Sequence, residues 1–152
     1  MSRIKESHII RVSAILIIDN QLLIIEQKVG NRRWYLPGGK LERDETLEAC
    51  IIREMREETG AVVELERMVC IADTEFTAPS ALHILFKVKL RRGEIGVQEN
   101  SPDSVPIEDV KFVPLELLPE YGFSESFTQA CMRGLNDVPP YVGVDTFFDL
   151  SC

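Results

Sequence analysis

The chain has no Cys-x-x-Cys pair and no histidine pair beside any cysteine, which excludes the common structural zinc modules. Cys50, Cys70, Cys131 and Cys152 are scattered, and four free thiols in a reducing cytoplasm are expected. Basic residues are in deficit: 17 Lys and Arg stand against 25 Asp and Glu, a net charge of −8. Nucleic-acid polymers are held mainly by Lys and Arg, so a general binder of them is excluded. A small polyanion still fits, provided a bound cation and a few local arginines reverse the sign at the site. Long apolar runs are missing as well. Ile9 to Ile18 is interrupted by Arg11, stops at Asp19 and has no small-residue cleavage site, so it reads as a strand, not as a signal peptide or membrane span. Repeats and low-complexity tracts are absent.

What is present is ordinary for a globular protein: 152 residues, 45% hydrophobic and 28% charged. That length makes a single domain, residues 1–152, able to bury roughly 70% of its unfolded surface. It is expected as a monomer or homodimer.

The chain alternates strand and turn signals around one helix. His8 to Ile18 and Gln21 to Gln27 are rich in Ile, Val and Leu and flank Asp19-Asn20, the signature of a hairpin. Lys28 to Arg33 reads as a basic loop, and Trp34-Tyr35-Leu36 as a short strand before the turn Pro37-Gly38-Gly39. Val62 to Asp73 and Ala81 to Arg91 are two further strands, joined through Pro79-Ser80. Arg92 to Pro106 is a loop, Ile107 to Val113 a strand, and Pro114 to Leu118 a short helical turn. A second helix runs from Ser124, its cap, to Leu135, with Phe127, Ala130, Cys131 and Leu135 inward. Residues 136–152, with Pro139-Pro140, Tyr141, Phe147 and Phe148, form a tail that docks. Strands on both sides of a central helix, with another helix late, predict an α+β layered domain.

The central helix is the informative part. Thr46 to Thr59 has no Gly and no Pro, with Asp44 as the expected N-cap and Gly60 able to take the left-handed C-terminal position. Leu47 and Ile51 start a core-facing row that continues to Glu54 and Glu58, where periodicity asks for apolar residues. Glu57 stands beside them, and all three acids are expected to converge near one edge. They occupy the last turns, where the helix dipole disfavours negative charge, and Arg53 and Arg56 relieve only part of this. Such a cluster calls for a cation, and oxygen ligands select a hard one, Mg²⁺ or Mn²⁺.

Gly39, Glu45, Arg53, Glu54, Met55, Glu57, Glu58 and Gly60 satisfy the pattern G-x5-E-x7-R-E-U-x-E-E-x-G-U, with Ala61 at the final aliphatic position. The stretch Gly39 to Ala61 resembles the box of the Nudix (MutT-like) hydrolase family. The one departure is Ala61, where the family prefers a bulkier aliphatic residue and Val62 follows. The resemblance implies a mixed β-sheet sandwiched between helices. It also implies a Mg²⁺-dependent pyrophosphohydrolase, which cleaves a nucleoside diphosphate linked to another moiety by water attack on phosphorus. A nucleotide sugar, ADP-ribose and a nucleoside triphosphate are the substrate choices.

By position in that box, Glu54, Glu57 and Glu58 match the metal ligands, and the Gly38 carbonyl matches the backbone ligand. Arg53 is expected to orient these carboxylates, and Glu45 to be structural. The general base is a box glutamate or a later acid, with Glu99, Glu108 and Asp109 as candidates and Glu108 ahead. His83 is expected to be packed or hydrogen-bonded in its strand. Arg32 and Arg33 are candidates for phosphate contact, and Trp34 and Phe76 for base stacking, each weighed against a solvated turn or a core role. The rival to an enzyme is a Nudix-type module that senses a nucleotide without cleaving it. Loss of box carboxylates would mark such a module, and this chain keeps them all.

Overall fold

The architecture follows from a computed structural model that describes residues 8–74, 81–99 and 105–144. Phe76, Pro79, Ser80, Phe147, Phe148 and Cys152 lie outside the described residues.

The first apolar run is divided between two sheets. Strand β1 (Ile9–Ile15) and strand β2 (Ile17–Ile18) are separated at Leu16, and the turn Asp19-Asn20 leads into β3 (Gln21–Val29). Both turn residues adopt positive φ, 52° and 58°, as a tight two-residue hairpin requires. Strand β4 (Arg32–Tyr35) returns antiparallel beside β3, with Val29 opposite Arg32. The expected basic loop Lys28 to Arg33 is therefore a hairpin whose turn is only Gly30-Asn31. Gly30 takes φ 61°, which lets the strands continue to the turn.

Strand β5 (Gly38–Lys40) then lies antiparallel to β1, and helix α1 (Leu47–Thr59) follows. Its cap is Thr46, not Asp44. The Thr46 hydroxyl accepts a hydrogen bond from the Ala49 N–H at 3.0 Å from an extended backbone, as an N-cap should. Asp44 is used one step earlier, at φ 61° in the turn, a conformation its short polar side chain tolerates. The other end closes as expected. Gly60 sits at φ 80° and donates to the Arg56 carbonyl. A Cβ there would also lie 2.2 Å from the carbonyl oxygen of Glu94, in the loop that begins after Arg92, so only glycine allows that loop to pack on the helix end.

Strands β6 (Val62–Asp73) and β7 (Ala81–Arg92) form a long antiparallel pair. Strand β8 (Ile107–Pro114) joins the β3 sheet, and a 3-10 helix (Leu115–Tyr121) precedes α2 (Glu125–Met132), which Ser124 caps as expected. The helix stops at Met132, and Leu135 is buried from a left-handed turn beyond it. The tail docks by a route its sequence did not suggest. Strand β9 (Tyr141–Val144) adds parallel to β6, with the Ile71 N–H donating to the Pro140 carbonyl.

The result is an α+β fold with two sheets. The larger has the order β5-β1-β7-β6-β9 and the smaller carries β2, β3 and β4 with β8 on β3. Val12, Ala14, Ile84, Phe86 and Val88 pack with Cys50, Ile51 and Met55 of α1. Ile15, Leu85 and Cys70 pack with Leu22, Ile24 and Val113 of the smaller sheet and with Phe127 and Ala130 of α2. The larger sheet is thus covered by one helix on each side, the arrangement the resemblance implied. Among the described residues no helix is long and apolar enough to cross a membrane. Cys50, Cys70 and Cys131 are buried free thiols, and burial pushes Cys50 and Cys131 each up to about 12.

Candidate functional site

The site is assembled where β5 crosses the last turns of α1. Leu47 and Ile51 point into the core and hold the helix in register, so the residues one and two turns further on face the same way. Those residues are Glu54 and Glu58. The Glu54 side chain is 14% exposed, whereas that of Glu57 is 56% exposed. A core-facing row therefore ends in two half-buried acids, with a third at the rim.

Two glycines make room for them. A Cβ on Gly39 would lie 2.4 Å from Glu54 Oε1, and one on Gly38 would lie 2.0 Å from the Val12 carbonyl oxygen. The β5 backbone can therefore rest directly on both β1 and the Glu54 carboxylate. Glu58 is fastened to the same strand, accepting a hydrogen bond from the Gly38 N–H at 2.6 Å.

Arg53 organises the opposite side. Its Nε donates to Glu45 Oε2 at 2.7 Å and its Nη2 to Glu45 Oε1 at 3.0 Å, a bidentate pair. Nη1 donates to Glu54 Oε1 at 2.9 Å and to Glu57 Oε2 at 3.2 Å. Glu45 in turn accepts from the Glu42 N–H and so pins the turn before α1 to the helix. Glu45 thus anchors Arg53, which in turn holds Glu54 and Glu57.

The electrostatics separate the four carboxyls. The Arg53 hydrogen bonds hold Glu45 down at about 2, against the opposing effect of burial. Burial raises Glu54 above the usual carboxylate range despite the charge of Arg53. Burial pushes Glu58 up to about 8, opposed by the Gly38 N–H and by the charge of Arg11 and assisted by the neighbouring acids. Arg53 itself is raised, chiefly by its hydrogen bond to Glu45. Glu54 is thus paired with Arg53, whereas Glu58 has only the Gly38 N–H and the charge of Arg11 against its desolvation.

The convergence expected of the three acids is only partial. Glu54 and Glu57 turn toward Arg53 while Glu58 turns toward Gly38, and among the described residues no three of His, Cys, Asp and Glu gather closely enough to hold an ion. The donor set still fits a hard divalent cation. It is all oxygen, it sits at the edge of a helix whose dipole adds negative potential there, and its half-buried member Glu58 has no ion pair among the described residues.

The remaining candidates are dispersed. Glu108 lies on β8 in the smaller sheet, where Lys28 Nζ is 3.4 Å away, and Asp109 accepts from the Val110 N–H. Glu99 is exposed on the loop that follows β7. His83 is buried and shares a 2.7 Å hydrogen bond with the Ser13 hydroxyl, as a packed strand histidine should. Trp34 is half-buried and meets Tyr121 edge-on at 5.3 Å, with Lys111 Nζ over both rings. Arg33 pairs with Glu26, and Arg32 Nε donates to the Trp34 carbonyl. Arg33, Trp34, Glu120 and Tyr121 line an open groove of about 540 Å³ to which α1 contributes nothing. Sequence reasoning passed over Arg11, which stands opposite Lys40 in the β1–β5 ladder and whose charge acts on Glu58. The signal was a lone cation inside the apolar run Ile9 to Ile18.

Comparison with known proteins agrees with this geometry. The family model described as NUDIX domain matches residues 7–131. A MutT-like protein of Streptomyces ambofaciens is 30% identical over 100 residues, which is 66% of this chain and 62% of that protein, so the chain spans less than two thirds of that relative. An ADP-ribose pyrophosphatase of Methanocaldococcus jannaschii is 26% identical over 132 residues, 84% of this chain and 75% of that protein. A NUDIX hydrolase structure from Nitrosomonas europaea superposes with a TM-score of 0.68 at 19% identity, covering 89% of this chain and 93% of that one, a likeness of fold.

Proposed function

Because the chain belongs to the Nudix family, we propose that it is a Mg²⁺-dependent hydrolase acting on a nucleoside diphosphate linked to another moiety. The observation that carries this reading is the trio Glu54, Glu57 and Glu58, two of them half-buried beside β5, with desolvation raising both of these. Glu54, Glu57, Glu58 and the Gly38 carbonyl would hold the cation. A hard divalent cation bound there supplies charge neutralisation at the phosphate oxygens and acidifies a water.

The chain's own residues supply the rest. Arg53 holds Glu54 and Glu57 in orientation through two charge-assisted hydrogen bonds from one nitrogen, while its bidentate grip on Glu45 keeps the guanidinium from turning. Gly39 lets Glu54 approach the strand, and the Gly38 N–H fixes the Glu58 carboxylate. Water attacks one phosphorus in line with the oxygen bridging to the other, and the leaving group departs with the second phosphate.

The relatives named above guide the choice of substrate. A panel of ADP-ribose, nucleoside diphosphate sugars and nucleoside triphosphates, assayed with Mg²⁺ for released nucleotide and phosphate, should show one group hydrolysed and the reaction stopped by EDTA. Tight binding of a nucleotide with no hydrolysis of any would establish the rival reading, a nucleotide sensor. The intact set of box carboxylates favours the enzyme.

Glu108 is the proposed base outside the helix. Glu108→Gln should then lower kcat by roughly 10²–10⁴-fold while metal binding persists. A loss below about tenfold would return the role to a box glutamate or to Glu99. Its exposed partner Lys28 makes the variant a mild one for the fold.

A further inference from the structure

The last turn of α1 is intrinsically weak. Glu57 and Glu58 follow Glu54 at the spacings where like charges repel, and the helix dipole opposes all three. Helix ends fray, yet a cation shared by these acids needs that turn in one geometry.

A restraint comes from the loop after β7. Arg92, the last residue of β7, pairs with Val62 at the start of β6, which brings Gly93 back to the helix end. A Cβ on Gly93 would lie 2.2 Å from the Gly60 carbonyl oxygen, just as one on Gly60 would meet the Glu94 carbonyl oxygen. Two backbones therefore touch with no side chain between them, and both glycines hold positive φ, 118° at Gly93 and 80° at Gly60. Gly93 is thus as constrained as Gly60, although it lies outside the stretch Gly39 to Ala61.

Past this contact the loop is fastened at three points. The Gly96 N–H donates to the Thr59 carbonyl at 2.9 Å, one of the terminal carbonyls for which a helix has no partner of its own. Gln98 Nε2 donates to the Gly96 carbonyl at 2.9 Å, and its amide lies against Gly60. Half-buried Ile95 packs on the core cluster that contains Ile51, Met55 and Ala61. The Gly96 N–H also brings partial positive charge to the end where Glu57 and Glu58 stand.

We propose that the loop starting at Gly93 is a backbone latch that positions Glu57 and Glu58 for the cation, with Gly93, Gly96 and Gln98 as its positioning residues. This rests on the cation-binding reading above. The three residues act through Thr59 and Gly60, which directly follow Glu58.

Titration of Mn²⁺, followed by loss of its free paramagnetic signal, reads metal affinity without turnover. Wild type, Gly93→Ala and Gln98→Ala are compared, with Gln129→Ala on α2 as control. The added Cβ of Gly93→Ala must push the loop off Gly60. Mn²⁺ binding should then weaken about tenfold or more, as when a metal ligand loses its outer support. Gln98→Ala adds no atom and removes one hydrogen bond, so binding should weaken about threefold. The control should match wild type. Amide exchange at Gly60 should quicken in both latch variants. On whichever nucleotide is hydrolysed, excess Mg²⁺ should restore most of the turnover of Gln98→Ala, with KM for the nucleotide unchanged. A loop that served stability alone would lower the melting temperature in EDTA and leave the Mn²⁺ affinity of the folded variants at the wild-type value. That result overturns the latch. If Gly93→Ala does not fold, unchanged Mn²⁺ affinity in Gln98→Ala still overturns it. A wild-type protein that binds no Mn²⁺ overturns the cation reading itself, whereas equal binding by wild type and variants overturns only the latch.

Discussion

Glu57→Gln should abolish most turnover while leaving the fold untouched. Glu57 is the one acid of the trio at the surface, with its side chain 56% exposed and a single 3.2 Å hydrogen bond from Arg53. Exposed substitutions of this kind change stability by about 0.5 kcal/mol or less. The chemistry is far more sensitive. A ligand to the catalytic cation contributes to several kcal/mol of charge stabilisation in the transition state, and about 4 kcal/mol corresponds to roughly 10³-fold in rate. The measurement is kcat at saturating nucleotide and Mg²⁺, with a melting curve of the same preparation. A protein that melts like wild type and turns over at a near wild-type rate would remove Glu57 from the site.

Glu58→Gln should act in the opposite way on stability, because Glu58 is a buried acid. Its folded carboxyl stands near 8, against 4.5 for an ordinary glutamate, so the folded protein binds a proton that the unfolded chain releases. Below about pH 4.5 the side chain is neutral in both states and costs nothing. As pH rises from there toward 8, stability falls, by an amount on the order of a few kcal/mol. In EDTA, the melting temperature of wild type should therefore decline across this window while that of Glu58→Gln stays nearly level. At pH 8 the variant should be the more stable protein. Glutamine keeps an oxygen for the Gly38 N–H, so the strand attachment survives.

Mg²⁺ at about ten times its Kd should then stabilise wild type by roughly 1.4 kcal/mol, or a few degrees for a chain of this size, and the variant much less. Parallel pH curves and equal Mg²⁺ shifts would make Glu58 only a surface acid and no ligand.

Helix α1 was legible because its signals are short-range. Thr46 to Thr59 contains no breaker, the caps lie within a turn of its ends, and the row Leu47, Ile51, Glu54, Glu58 repeats with the helix period. Even the cap was misplaced by two residues, since Asp44 and Thr46 are both good capping types and only the path of the preceding turn chooses between them. The same locality made the Asp19-Asn20 hairpin and the pair β6 and β7 readable, through turn residues that tolerate positive φ and through runs of β-formers.

The rest depended on residues far apart in the chain. The break of the first strand at Leu16 and the parallel pairing of β1 with β7 have no local signature. A three-residue strand such as β5 is too short for periodicity to reveal, and β9 earns its place only by finding β6. The close approach of Gly39 to Glu54, the Ser13–His83 bond across 70 positions and the placement of Arg11 opposite Lys40 arise from that pairing. The sequence by itself determined which side chains carry the chemistry and the helix that spaces them, because spacing along a helix is a property of a dozen neighbouring residues. Which of those acids is buried, and which cations face them, was decided only when strands distant in sequence closed against one another.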